Sequence, residues 1–174
     1  DTEIMGSIYS SGTGWSNVTV ISDGYNGTYW NDGHSYEPEL VVDHNNYVHL
    51  VWYDHTDGVW GTDAEIMYSN YTSQSGWENA TVISDGFEGK FFNDQLSRNP
   101  SLAYGRNKLY IVWEDGTDGI WGTDTEVMFT WLSIPKPIPK TYPQAGISSG
   151  LFFVIPLFLS AIGISIFVKR KIKS

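Results

Sequence analysis

The residues best suited to chemistry in this 174-residue chain are carboxylates set around glycine-containing turns. Asp54, Asp57, Asp63 and Glu65 fall within twelve positions, and the same types return as Asp115, Asp118, Asp124 and Glu126. Carboxylates this dense repel one another unless a cation sits among them, and Ca²⁺ takes about six to eight oxygen ligands, backbone carbonyls included. These eight residues are therefore the candidate calcium ligands. Their spacing fails the EF-hand pattern, because Thr117 and Gly119 stand where early acidic ligands belong. Asx turns and caps on a solvated rim are the plainer account and the one this spacing favours. A glycosidase would need two carboxylates ~5 to 10 Å apart across a sugar bond. One active site needs one set of residues, whereas these acids occupy equivalent places in two copies, as turn residues do. No residue is assigned a catalytic role.

The aromatic residues divide in the same way. Trp60 and Trp121 sit in Gly-Val-Trp-Gly and Gly-Ile-Trp-Gly loops and are the candidates for stacking on a carbohydrate. Trp52 and Trp113 lie on strand-like stretches and read as core. His34, His44, His49 and His55 cluster in one stretch, where Leu96, Tyr110 and Gly116 are the counterparts of the first, third and fourth, so they form no repeated site. Four sequons, at Asn17, Asn26, Asn70 and Asn79, are candidate N-glycosylation positions for an exported region.

Composition narrows the partners. At 16% aromatic and 41% hydrophobic the chain can build a packed core, and with no cysteine it is neither a disulfide scaffold nor a thiolate metal site. All 20 acidic residues lie between Asp1 and Glu126, opposed there only by Lys90, Arg98, Arg106 and Lys108, which leaves −16. Such a surface repels phosphate backbones, so nucleic acid is excluded as a partner, while cations and basic partners are drawn in.

The elements that must position these side chains are repeated. Asp1-Thr-Glu-Ile-Met5 recurs from Asp63 and again from Asp124, and residues 1 to 40 match residues 63 to 102 at 22 of 40 positions. Val51 to Thr62 matches Val112 to Thr123 at 9 of 12. Such fidelity marks duplicated structural units. Within a unit the apolar residues alternate: Val48, Leu50 and Trp52 against His49, Val51 and Tyr53, then Leu109, Ile111 and Trp113 against Tyr110, Val112 and Glu114. Further strands are expected at 39–43, 65–70 and 80–84, with counterparts at 101–104, 126–131 and 18–22. The fold class expected is all-β: four-stranded antiparallel propeller-type blades repeating every ~62 residues, too few to close a ring.

The remainder of the chain changes character. Residues 1–134 form the expected ectodomain and 135–146 a Pro-rich stalk, extended by its polyproline preference. The uncharged stretch 147–168 holds 22 residues, enough to span a bilayer core as a helix of ~33 Å. Residues 169–174 form a basic tail, which places the C-terminus in the cytoplasm, the N-terminal part outside, and membrane lipid against 147–168. The chain opens in the middle of a unit without an initiator Met or an export signal, and so reads as the C-terminal part of a longer precursor.

The order of elements resembles the sialidase-like and BNR-type propellers. A Pro-led strand (Glu37 to Asp43) is followed by Val48-His-Leu-Val-Trp-Tyr-Asp54, a Gly/Asp loop, the strand Asp63 to Ser69, and a Gly76-Trp77 turn into a last strand. The turns keep the Gly and Trp of that family's aspartate box without its Asp. Stalk, span and basic cluster together resemble the tails of prokaryotic, archaeal-type cell-surface proteins, some of which a sortase-like enzyme removes. The resemblance implies a membrane-anchored surface protein for binding, adhesion or envelope structure, with a glycan or a surface protein as partner. Its alternative is the C-terminal part of a surface glycosidase whose catalytic blades lie elsewhere, since the arginine cluster such enzymes use has no repeated counterpart here.

Overall fold

The computed structural model describes residues 1–24, 31–85, 93 and 95–136. The stalk beyond Lys136, the proposed membrane span, the basic tail and the Asn26 sequon lie outside the described residues. Among the described residues no helix is present, and none therefore is long and apolar enough to cross a membrane.

Among the described residues twelve antiparallel strands form three successive groups, and no sheet closes on itself. The first group holds β1 (Met5–Gly6) paired with β4 (Thr19–Val20), and β2 (Tyr9–Ser10) paired with β3 (Gly14–Trp15). The middle sheet runs β5 (Ser35–Val42), β6 (Val48–Asp54) and β7 (Glu65–Thr72). Its outer edge is a strand in two pieces, β8 (Gly76–Trp77) and β9 (Thr81–Val82), both paired with β7. The last sheet holds β10 (Ser97–Gly105), β11 (Lys108–Asp115) and β12 (Glu126–Ser133).

The alternation seen in the sequence sets these strands, because successive side chains leave opposite faces of a sheet. It splits the apolar residues between two cores. Leu50, Trp52, Trp60 and Met67 pack with Ile4 and Ile21 between the first group and the middle sheet. Val51 and Ile66 pack with Leu109, Ile111, Trp113 and Ile134 between the middle and last sheets. Trp52, Ile66, Leu109 and Ile111 are fully buried, each contributing about 1.5 to 3 kcal/mol by its removal from water.

Strands β5 and β10 begin several residues earlier than the apolar pattern suggests. In each, a proline is accommodated by a bulge: Glu37 (φ 52°) precedes Pro38 and Asn99 (φ 54°) precedes Pro100, and the register shifts there. The bulge frees the proline from the ladder hydrogen bond it cannot donate.

Candidate functional site

The repeated carboxylates separate by burial. Asp54, Glu65 and Asp115 are buried, Asp63 and Glu126 are half-buried, and Asp57, Asp118 and Asp124 are exposed. Asp54 ends β6 and is the hub of a hydrogen-bond network. Its Oδ2 accepts from Trp52 Nε1 (2.8 Å), Ser35 Oγ (2.7 Å) and Asn31 Nδ2 (3.1 Å), and its Oδ1 accepts from the Thr56 amide (2.9 Å). Asp115, at the end of β11, repeats the pattern with Trp113 Nε1 (2.8 Å), Ser97 Oγ (2.9 Å) and the Thr117 amide (2.9 Å). A buried carboxylate is tolerated when its oxygens are satisfied this way, and charge-assisted bonds are the strong ones.

An asparagine joins each hub to the preceding group. Asn31 Nδ2 reaches Glu3 Oε2 at 3.3 Å as well as Ser35 Oγ at 2.7 Å, and Glu3 also accepts from Ser22 Oγ at 2.5 Å. One unit later Asn93 Nδ2 reaches Glu65 Oε2 at 3.1 Å and Ser97 Oγ at 2.6 Å, and Ser84 Oγ donates to Glu65 at 2.5 Å. Backbone bonds run beside them, from the Ser35 amide to Thr2 and from the Ser97 amide to Ala64, each 2.8 Å. The two copies thus spend the same side chains on fastening one sheet to the next. The sequence reading passed over Ser22, Asn31, Ser35 and Thr56, although each is identical to its counterpart Ser84, Asn93, Ser97 or Thr117. Identity at a polar position, where surface turns are free to vary, was the available signal.

Glu65 is the most perturbed of these acids. Burial pushes its carboxyl up to about 8, Asp63, Asp85 and Asp115 push in the same direction, and the Ser84 hydrogen bond opposes them. Its Oε1 is buried with no hydrogen-bond partner. At neutral pH the residue is protonated. Among the described residues no group of three or more His, Asp or Glu side chains is arranged to hold a metal ion.

The two tryptophan loops share a closed form. Gly58 and Gly61 exchange backbone hydrogen bonds of 2.9 and 3.2 Å, and Gly119 and Gly122 do the same at 3.0 and 3.1 Å. Trp60 folds back over Gly58 so closely that a Cβ there would sit 2.3 Å from the indole. Its Nε1 donates to the Thr56 carbonyl at 3.0 Å, and Trp121 Nε1 donates to that of Thr117 at 3.2 Å. Trp60 is buried in the first core, whereas Trp121 is 39% exposed. Ala80 and Val82 pack against the core that holds Trp60. A cleft of about 240 Å³ opens beside Trp60, walled by Ser22, Asn31, Asp54, Thr56 and Val59.

One polar cluster does not repeat. His49 Nδ1 lies 2.8 Å from the Tyr68 hydroxyl and its Nε2 lies 3.4 Å from Asp43 Oδ2. Burial alone would raise the Asp43 carboxyl, but the Tyr47 and Asn45 amides and His49 hold it below its usual range. Burial, with Asp43 nearby, pushes the Tyr68 hydroxyl up to about 12, which makes it a poor nucleophile. The Tyr104 hydroxyl on β10 meets His44, so this second histidine helps join the middle and last sheets. Of the sequons, Asn17 and Asn79 are exposed at equivalent strand connections, and Asn70 is half-buried on β7.

Comparison with family models, with curated proteins and with solved structures finds no match to this chain.

Proposed function

We propose that the chain is a membrane-anchored cell-surface protein whose described sheets are propeller-type blades, displayed for binding, adhesion or envelope structure. The observation that carries this reading is the use of the repeated acids. Asp54 and Asp115, two of the acids best placed by type for acid–base work, have both carboxylate oxygens hydrogen-bonded in matching networks that reach the preceding group through Asn31 and Asn93. A scaffold needs its polar residues satisfied and identical from unit to unit, while a catalyst needs one unsatisfied set open to substrate. The alternation of short strands, the split outer edge and the inter-sheet cores agree with blades packed face against face.

The binding surface that fits is the cleft beside Trp60. At about 240 Å³ it is below the ~300 to 1,000 Å³ of drug-sized pockets, and Val59, Met67, Ala80 and Val82 line it beside the polar groups, so it suits one small part of a larger ligand, such as the apolar face of a sugar ring at the end of a surface glycan. Val59, 97% exposed at its lip, can be changed without disturbing the core. The test is a glycan array probed with the full chain in non-ionic detergent, beside Val59→Asp. Retention of a glycan class by the wild type and its loss in the variant supports the binding reading. Turnover of a glycoside by the same preparation would overturn it in favour of a hydrolase.

A further inference from the structure

The outer edge of the middle sheet carries two of the sequon asparagines side by side. Between the strand pairs Tyr71–Trp77 and Tyr68–Thr81, three residues, Glu78, Asn79 and Ala80, stand against two, Ser69 and Asn70. The extra residue makes the break between β8 and β9 a bulge, which bends the strand and re-aims side chains. The Glu78 amide donates to the Asn70 carbonyl at 2.8 Å, so Asn79 lies next to Asn70 across the strands. Tyr68 and Asn70, two apart on β7, leave the same face, and Thr81 shares it as the cross-strand partner of Tyr68. These three and Asn79 border one groove of about 560 Å³, with Trp77 also lining it. That volume is within the ~300 to 1,000 Å³ of small-molecule sites and has room for the first sugars of a chain.

The two acceptors differ in the hydroxyl that completes each sequon. Asn79 and Thr81 are both exposed. Thr72, which completes the Asn70 sequon, is buried, its Oγ1 accepting from the Ser75 amide at 3.0 Å and pairing with Ser75 Oγ at 2.8 Å. We propose that Asn79 carries an N-linked sugar chain whose first sugars lie in this groove, and that Asn70 is a positioning residue for that chain and not a second acceptor. The inference rests on the surface reading, since only an exported segment meets the sugar donor. In the transfer, Asn79 Nδ2 bonds to the anomeric carbon of a lipid phosphate-linked sugar as that carbon's bond to the phosphate oxygen breaks. The lipid phosphate leaves with the electron pair, and one amide proton passes to the transferring enzyme. Once attached, the sugar hydroxyls meet the Asn70 amide and the Thr81 hydroxyl, and Trp77 supplies an apolar wall for a ring face. The equivalent sequon at Asn17 has no such floor, because Gly6 and Ile8 stand where Tyr68 and Asn70 do.

The test uses the full chain made in an N-glycosylating host and kept in non-ionic detergent, with Asn17 as the internal control. Peptide mass spectrometry should find sugar on Asn79 and Asn17 and none on Asn70. In the folded chain, peptide N-glycosidase should release the Asn79 sugars about tenfold or more slowly than those on Asn17, and after denaturation the two rates should agree. Asn70→Ala keeps the backbone bond to Glu78, so its near-ultraviolet circular dichroism should be unchanged, while release from Asn79 in the folded chain should rise to the Asn17 rate. Sugar on Asn70 of the wild type, equal release rates in the folded wild type, or continued protection of Asn79 in a folded Asn70→Ala chain would each overturn the proposal. Sugar on Asn17 but not on Asn79 would overturn it alone, whereas no sugar on either would overturn the surface reading with it.

Discussion

Raising the pH from 5 to 9 should weaken this fold through one residue, Glu65. Its carboxyl titrates at about 8 in the folded chain against an ordinary 4.5. Between those values the folded chain holds a proton that the unfolded chain has released. The stabilising contribution is thus fully present below 4.5, declines as pH rises, and is lost once pH passes about 8. The slope within that window is about 1.4 kcal/mol per pH unit, with a ceiling of roughly 4 to 5 kcal/mol over its whole width. Set against a typical domain stability of ~5 to 15 kcal/mol, this is a large share. Asp85, raised by burial, acts in the same sense from a lower start, whereas Asp43, held below 3.8, adds stability that is lost only as pH falls past its folded value. The assay is urea denaturation followed by tryptophan fluorescence at pH steps from 5 to 9, for the wild type and Glu65→Gln. The amide keeps the size and an acceptor for Ser84 and Asn93 but cannot ionise. The wild type should lose stability with rising pH and the variant should be much flatter. Parallel profiles would refute the assignment of the proton to Glu65.

Three further outcomes are expected. Asp54→Ala strands the donors of Asn31, Ser35, Trp52 and Thr56 in the interior; at about 1 to 3 kcal/mol for each unsatisfied group it should cost at least ~3 kcal/mol in the same denaturation assay. Gly58→Ala places a methyl group 2.3 Å from the Trp60 indole and should expel the ring, seen as a red-shifted emission and a loss of about 2 kcal/mol. Expressed in an N-glycosylating host, Asn17 and Asn79 should carry glycan at higher occupancy than the half-buried Asn70, read by intact-peptide mass spectrometry.

The strands were legible because alternation is a local property. Leu50, Trp52 and Met67 on one face, with Val51 and Ile66 on the other, follow from period two alone, and β6, β7, β11 and β12 fall where that pattern runs. The outer strand was legible only as one segment. That it is broken into β8 and β9 depends on its pairing with β7, which neighbouring residues do not encode. The acids were legible as a repeat but not in their roles. Asp54 and Asp57 are three residues apart in the same Gly-rich stretch, yet one is a buried hub and the other is in solvent.

By itself, then, the sequence determined the period of the sheets, the duplication, the acidic charge of the N-terminal region and the uncharged stretch 147–168. Only the tertiary structure decided which carboxylates are fastened and which titrate late. The partners of Glu65, and Ser35 and Asn31 among those of Asp54, stand 19 to 28 residues away in the chain. They are brought together by strand pairing within a sheet and, for Asn93, by the connection to the next one, and burial there removes water from Glu65 and raises its proton affinity. Desolvation and hydrogen bonding of that range arise from the packed whole, so no window of neighbouring residues can contain them.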